Sequence, residues 1–271
     1  MAYLIDYFIN FFIILLFLRL FISRNETYYH PVLTIIYRFT DPIVIQARKI
    51  SRSENRSIVG LILILIVFRG LLLSEVSKVG LVTCIVQGSR GFLDTLYQVY
   101  VVVFILIFFG VYQYGIAEHI ASLIFRPIYY IQNLVVSRRR NQKLTLFLTL
   151  IVIYNLLNIA LLSLVTLNPQ GHILSSLQDS LLLIFQLVGF FTLIIIVGAL
   201  LSWVSPDPYN PVVQAIYSIS EPLLIPFRRL IPSLGGIDFS PIFAIIALQL
   251  VRHLGTELVR SLFIHVNKVL F

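Results

Sequence analysis

Residues 202–241 read SWVSPDPYNPVVQAIYSISEPLLIPFRRLIPSLGGIDFSP, a proline-rich, polar stretch set between two runs of nearly pure hydrocarbon. Asn210 followed by Pro211 is a helix start, with an Asn cap and a proline at the first position, where a missing amide costs nothing. Val212, Ile216 and Ile219 then share one helix face, which predicts a short amphipathic helix lying on a membrane surface. Pro222 is expected to end it, because the ring removes an amide and disfavours helix at the preceding residue. Beyond Pro222, LLIPFRRL lays apolar side chains into the acyl boundary and brings Arg228 and Arg229 to lipid phosphates. Gly235 and Gly236 turn the chain, and Ser240-Pro241 cap and start the next run. The prolines thus punctuate an interfacial platform between two membrane spans.

The whole chain agrees with that reading. Apolar residues make up 59% of it and charged residues 12%, against roughly 45–50% and about 25% in soluble domains. Crossing a bilayer takes about 20 mostly apolar residues. Segments 3–22, 57–75, 96–112, 144–165, 181–204 and 241–260 meet that length. The expected fold is all-α: a polytopic membrane protein of about six transmembrane helices in three helical hairpins, each with an interfacial amphipathic segment. The hairpins are residues 1–75, 96–165 and 166–271. Residues 76–95, interrupted by Gly80, Gly88 and Gly91, are expected to form an interfacial connector or a shallow re-entrant turn. The N-terminal run lacks a basic start and a small-residue cleavage motif, so it is read as a retained first span.

Lys and Arg favour the cytoplasmic side. The loop after the first span holds Arg24, Arg38, Arg48, Lys49, Arg52 and Arg56; the loop after the third holds Arg126, Arg138, Arg139, Arg140 and Lys143; the loop after the fifth holds Arg228 and Arg229. Residues 166–180 carry neither Lys nor Arg. Both termini are therefore predicted outside, although Arg260 and Lys268 in the tail pull the other way.

The inside loops resemble one another. An offset of 180 residues pairs Pro31 with Pro211, Tyr37 with Tyr217, Asp41-Pro42 with Glu221-Pro222 and Arg48-Lys49 with Arg228-Arg229. After a three-residue length difference Ser57 pairs with Ser240 and Arg69 with Arg252. A fainter copy, HIASLIFRPIYYIQNLV, lies between them and puts Arg126-Pro127 at the acid-proline position.

At Trp203, Asn210-Pro211, Glu221-Pro222, Arg228-Arg229, Gly235-Gly236 and Asp238-Phe239-Ser240-Pro241 the chain resembles the YggT family, small integral membrane proteins of bacteria with plastid relatives. Residues 11–73 are similar but lack the tryptophan and the Gly-Gly turn, and residues 96–165 match faintly. The family pattern has one or two such repeats, whereas three are read here. The resemblance implies an inner-membrane protein without catalytic residues, linked to ion and osmotic tolerance, cell division or, in plastids, membrane and cytochrome assembly.

Ionisable residues inside spans are rare and usually functional. Arg69 and Arg252 lie about 18 Å along their helices from the inner boundary. Asp6 lies near the outer end of the span that partners Arg69, and Asn155 or Asn158 reaches a similar depth in the middle hairpin. These groups either form a polar ring, with Asp6 paired to Arg69, or the two arginines snorkel to the outer headgroups; the second is the preferred expectation. The histidines are scattered without metal or haem spacing, and Cys84 is the only cysteine, so no metal and no cofactor is expected. No phosphate loop, nucleophile elbow or zinc-protease motif is present, so the chain is read as a non-enzyme. Arg138-Arg139-Arg140 read as a positive-inside anchor, with no nucleic-acid role. Two functions remain. One is a scaffold or assembly factor that uses anionic lipid and a membrane protein partner or a second copy; the other is an ion channel or transporter-like protein. The first is preferred, because polar residues within the spans are few.

Overall fold

A computed structural model describes residues 2–22, 24, 31–49, 51, 53–77, 80–108, 128, 142–166, 169–204, 207, 209–230 and 238–270. The elements among them are helices: α1 (Ala2–Arg19), α2 (Pro31–Ala47), α3 (Glu54–Ser77), α4 (Leu81–Phe108), α5 (Gln142–Ser163), α6 (Pro169–Gln186), α7 (Val188–Val204), α8 (Pro211–Leu230) and α9 (Ser240–Leu270). Helix is the expected solution for a chain this apolar, since it satisfies every backbone polar group within its own segment.

Four stretches are long and apolar enough to cross a membrane: Glu54–Leu72, Leu144–Ser163, Gly171–Ser202 and Ser240–Lys268. Phe8–Arg19 is a shorter apolar helix. The expectation of six spans is therefore met in kind, with four in number among the described residues. Of the predicted span 96–112, residues 96–108 are the second half of α4, and residues 109–112 lie outside the described residues. The connector 76–95 is not a re-entrant turn over its described part, since residues 81–95 are continuous helix. Gly88 and Gly91 serve packing. A Cβ on Gly88 would lie 3.4 Å from the Ile66 carbonyl oxygen, and one on Gly70 of α3 would lie 2.9 Å from Ile85 Cα, so α3 and α4 approach closely there.

The chain divides into two compact units. The first comprises Met1–Tyr100 and Ile120–Ile173; the second comprises Val101–His119 and Leu174–Phe271. In the first, α1, α2 and α3 enclose Ile9, Ile13, Leu16, Val44, Ile58, Ile62 and Ile66. In the second, α7, α8 and α9 meet around Ile195, Leu224 and Ala244. The predicted span 181–204 is part of α6 and all of α7, joined through Leu187, whose N–H is shared between the Leu183 and Ile184 carbonyls at 3.3 Å each.

The amphipathic platform is longer than expected. Asn210 caps α8 as predicted, its Oδ1 accepting the Val212 N–H at 2.9 Å. However, α8 runs through both Pro222 and Pro226 to Leu230, and α2 runs through Pro42. A proline inside a helix costs about 3 kcal/mol in isolation, and here tertiary contacts outweigh it. The two prolines of α8 are four residues apart, so both missing donors lie on one face. The opposite face is held by Val213, Ser220 and Leu224, all buried. Their spacing of seven and four residues is one helical stripe.

Candidate functional site

The platform helices are fastened by arginine clamps. In the first unit Arg19, the last residue of α1, has a fully buried side chain. Its Nη2 donates to Asp41 Oδ1 at 2.7 Å and to Glu54 Oε1 at 2.7 Å, Nε donates to the same Glu54 oxygen at 3.1 Å, and Nη1 donates to Thr40 Oγ1 at 2.7 Å. The guanidinium carbon also lies 4.3 Å from the Tyr37 ring centroid, within reach of a cation–π contact. Arg24 pairs with Asp41 at 3.1 Å and Arg48 with Glu54 at 3.8 Å. One buried cation thereby ties the end of α1 to the acid-proline residue of α2 and to the first residue of α3. The Tyr37 hydroxyl adds a hydrogen bond to the Ile22 carbonyl at 2.8 Å.

In the second unit Arg228, the sequence counterpart of Arg48, lies between two carboxylates. Its Nη1 donates to Glu221 Oε2 at 2.7 Å and its Nε to Asp238 Oδ2 at 2.8 Å. Asp238 in turn caps α9, its Oδ1 accepting the Ser240 N–H at 2.8 Å. Partial burial alone would raise the Asp238 carboxyl, but the hydrogen bonds from Ser240 and Arg228 and the Arg228 charge outweigh it and hold the carboxyl below its ordinary range. The same balance raises Arg228: burial opposes its charge, and the two carboxylates more than compensate.

Of the cations predicted for lipid contact, Arg48 and Arg228 are thus engaged in ion pairs, while Lys49 and Arg229 sit exposed beside them. Arg138, Arg139, Arg140, Gly235 and Gly236 lie outside the described residues, as do Arg126, Pro127 and the faint middle repeat apart from Ile128. The side chains of Asp6, Trp203 and Pro211 do too, although these residues are placed on α1, α7 and α8. Glu221, Pro222, Asp238, Ser240 and Pro241 cluster around the second clamp, with Ser240 and Pro241 buried at the start of α9.

Arg69 does not snorkel. It is 7% exposed, and its Nη1 donates to Asn10 Oδ1 at 2.8 Å and to the Gly88 carbonyl at 3.2 Å. Asn10, one turn from Asp6 on α1, is one partner, the Asp6 side chain lying outside the described residues, and Gly88 and Gly91 clear the space: a Cβ on Gly91 would lie 2.7 Å from Arg69 Nη2. An arginine with fixed internal acceptors has no reason to stretch to the headgroups. Arg252, its sequence counterpart, is exposed on α9, and its Nη1 would lie 3.7 Å from a Cβ on Gly189 of α7. In the middle of the first unit Arg90 donates to Asn158 Oδ1 at 2.8 Å and the Tyr154 hydroxyl to Asp94 Oδ1 at 2.8 Å.

Sequence reasoning passed over Arg19, the centre of the first clamp. The available signal was a cation closing an apolar run, with acids 22 and 35 positions later; nothing in the sequence said that those acids would return to it.

The CCB3/YggT family model matches residues 177–259. Over 68 residues the chain is 56% identical to an uncharacterized protein of Pseudomonas aeruginosa, covering 25% of this chain and 34% of that one. It is 41% identical over 71 residues to an uncharacterized protein of Haemophilus influenzae, covering 26% and 39%. It is 36% identical over 73 residues to the Escherichia coli protein named YggT, covering 27% and 38%. The chain thus spans between a third and two-fifths of the length of these relatives. No solved structure matches it. Residues 177–259, which hold α7, α8 and the second clamp, are the part of this membrane protein that resembles the CCB3/YggT family.

Proposed function

We propose that the protein is a non-enzymatic scaffold or assembly factor of the cytoplasmic membrane, multi-pass with both termini outside, whose platforms α2 and α8 face the cytoplasm and bind anionic lipid and a membrane protein partner or a second copy. The observation that supports this most is the pair of clamps. Each fixes an amphipathic helix rigidly against its neighbouring helices while leaving an exposed cation, Lys49 or Arg229, and exposed apolar groups such as Phe39, Ile43, Val212 and Ile225 on it. A surface held in one geometry loses little freedom on binding, which favours a docking role. The competing ion-path reading draws on Arg69. Its guanidinium is closed off by Asn10 and Gly88, and an ion path needs polar groups that face water or exchange with the ion.

The test uses the full chain. Purified in mild detergent, the wild type is expected to carry a stoichiometric membrane protein or a second copy, identified by mass spectrometry, and Lys49→Glu with Arg229→Glu should weaken that capture and the binding to anionic vesicles together. Ion flux in reconstituted vesicles should stay at the empty-vesicle level. An ion-selective conductance that Arg69→Gln alters would replace the scaffold reading with the channel.

A further inference from the structure

The two clamps are built from similar residues, but the arginine at the centre of the first has no counterpart in the second. In the first unit the arm of Arg19 fills the space bounded by Tyr37, Thr40, Asp41 and Glu54. At an offset of 180 residues the sequence has Tyr217, Ser220 and Glu221 in place of Tyr37, Thr40 and Asp41, and Ala199 in place of Arg19. An alanine has no arm to fill that space. In the second unit a cavity of about 650 Å³ lies among α7, α8 and the start of α9, and Ala199, Tyr217, Ser220, Glu221, Arg228 and Asp238 are among its lining residues. That volume falls within the roughly 300–1,000 Å³ of small-molecule sites.

Charge and polarity specify the occupant. Around Asp41 and Glu54 the first unit places three guanidinium groups, Arg19, Arg24 and Arg48. Around Glu221 and Asp238 the second, among the described residues, places Arg228 alone, so these groups leave the cavity's polar end with an excess of negative charge. The opposite wall is hydrocarbon. Ile196, Leu200 and Ile242 line the cavity and are also 39%, 51% and 53% exposed, so the cavity opens sideways where acyl chains would lie. An occupant therefore needs a cationic head that donates hydrogen bonds and an apolar tail.

We propose that this cavity holds a phospholipid whose headgroup carries a primary ammonium, seated where the first unit seats the Arg19 guanidinium. The ammonium donates to the carboxylates of Glu221 and Asp238 and to the Ser220 hydroxyl, next to the Tyr217 ring. The phosphate takes N–H donors that Arg228 has beyond the two it gives to the carboxylates, since a guanidinium carries five. One acyl chain passes along Ile196, Leu200 and Ile242. A trimethylated ammonium has no N–H to give and an uncharged glycerol head on an anionic phosphate has no cation, so both should bind less well. This site shares the second clamp with the scaffold reading, but its test reads the cavity beside Ala199 and not the exposed Lys49 and Arg229.

The test is native mass spectrometry of the delipidated full-length protein titrated with phosphatidylethanolamine, phosphatidylcholine and phosphatidylglycerol of identical chains. The expected result is retention of one ethanolamine lipid at least about tenfold tighter than either of the others. Glu221→Gln should remove most of that preference, and Ala199→Arg, which restores a built-in guanidinium, should lower ethanolamine-lipid binding by about tenfold with thermal unfolding unchanged or raised. Should Ala199→Arg fail to fold, Ala199→Leu narrows the same space with no buried charge and should lower binding as well. Equal or tighter retention of the glycerol lipid, equal retention of all three, or undiminished ethanolamine-lipid binding in the folded Ala199 variants would each overturn the assignment.

Discussion

Replacing Arg19 by methionine keeps much of the apolar stem of a fully buried side chain and removes its charge, and it should destabilise the first unit by about 3 kcal/mol. Removing one partner of a buried ion pair costs about 3–5 kcal/mol, mostly because the other charge is left uncompensated. Here the carboxylates of Asp41 and Glu54 are 32% and 29% exposed and keep Arg24 at 3.1 Å and Arg48 at 3.8 Å, so water and the remaining cations recover part of the loss. The contact with Tyr37, worth about 0.5–2 kcal/mol, and the Thr40 hydrogen bond are lost with the guanidinium, which brings the figure to the lower end of that range. Arg228→Met is the internal control. Arg228 is 43% exposed and its acids are 40% and 36% exposed, and exposed pairs contribute about 1 kcal/mol or less. Equilibrium unfolding of the full chain in mixed micelles, followed by pulse proteolysis, should show roughly a 150-fold change for Arg19→Met, since 1.4 kcal/mol is tenfold, and under tenfold for Arg228→Met. Adding Asp41→Asn and Glu54→Gln should restore part of the stability. An Arg19→Met chain no less stable than Arg228→Met would refute the claim that burial makes the first clamp the stronger one.

Two further outcomes follow from the geometry. Gly70→Ala should cost about 1–3 kcal/mol by overpacking, because the added carbon would stand 2.9 Å from the Ile85 backbone, which cannot rotate away as a side chain would; unchanged thermal unfolding would mean that α3 and α4 are not in close contact. In intact cells, cysteine introduced at Leu164, which is 68% exposed, should react with an impermeant maleimide and cysteine at Tyr209, 85% exposed, should not; the reverse labelling would invert the topology.

The sequence by itself determined what composition and local chemistry control. Helix class, membrane habitat, the Asn210 cap and the family signature all rest on spacings of a few residues, and each is legible without knowing where the chain goes next. It misjudged elements whose fate lies with a neighbour. Pro222 looks like a terminator from within the segment, yet Leu224 packing against Ile195 and Ala244 carries α8 through it and through Pro226. Gly88 and Gly91 look like breaks, yet they are clearances for Arg69. The charged residues were hardest, because a cation's role depends on which acceptors reach it. Arg69 was expected to snorkel and instead found Asn10, 59 positions away; Arg19 carried no local mark and found Glu54 at 35. The tertiary structure alone decided these pairings, since bringing such distant groups within 3 Å is the work of helix packing, and only that packing turns a lone arginine into a buried clamp.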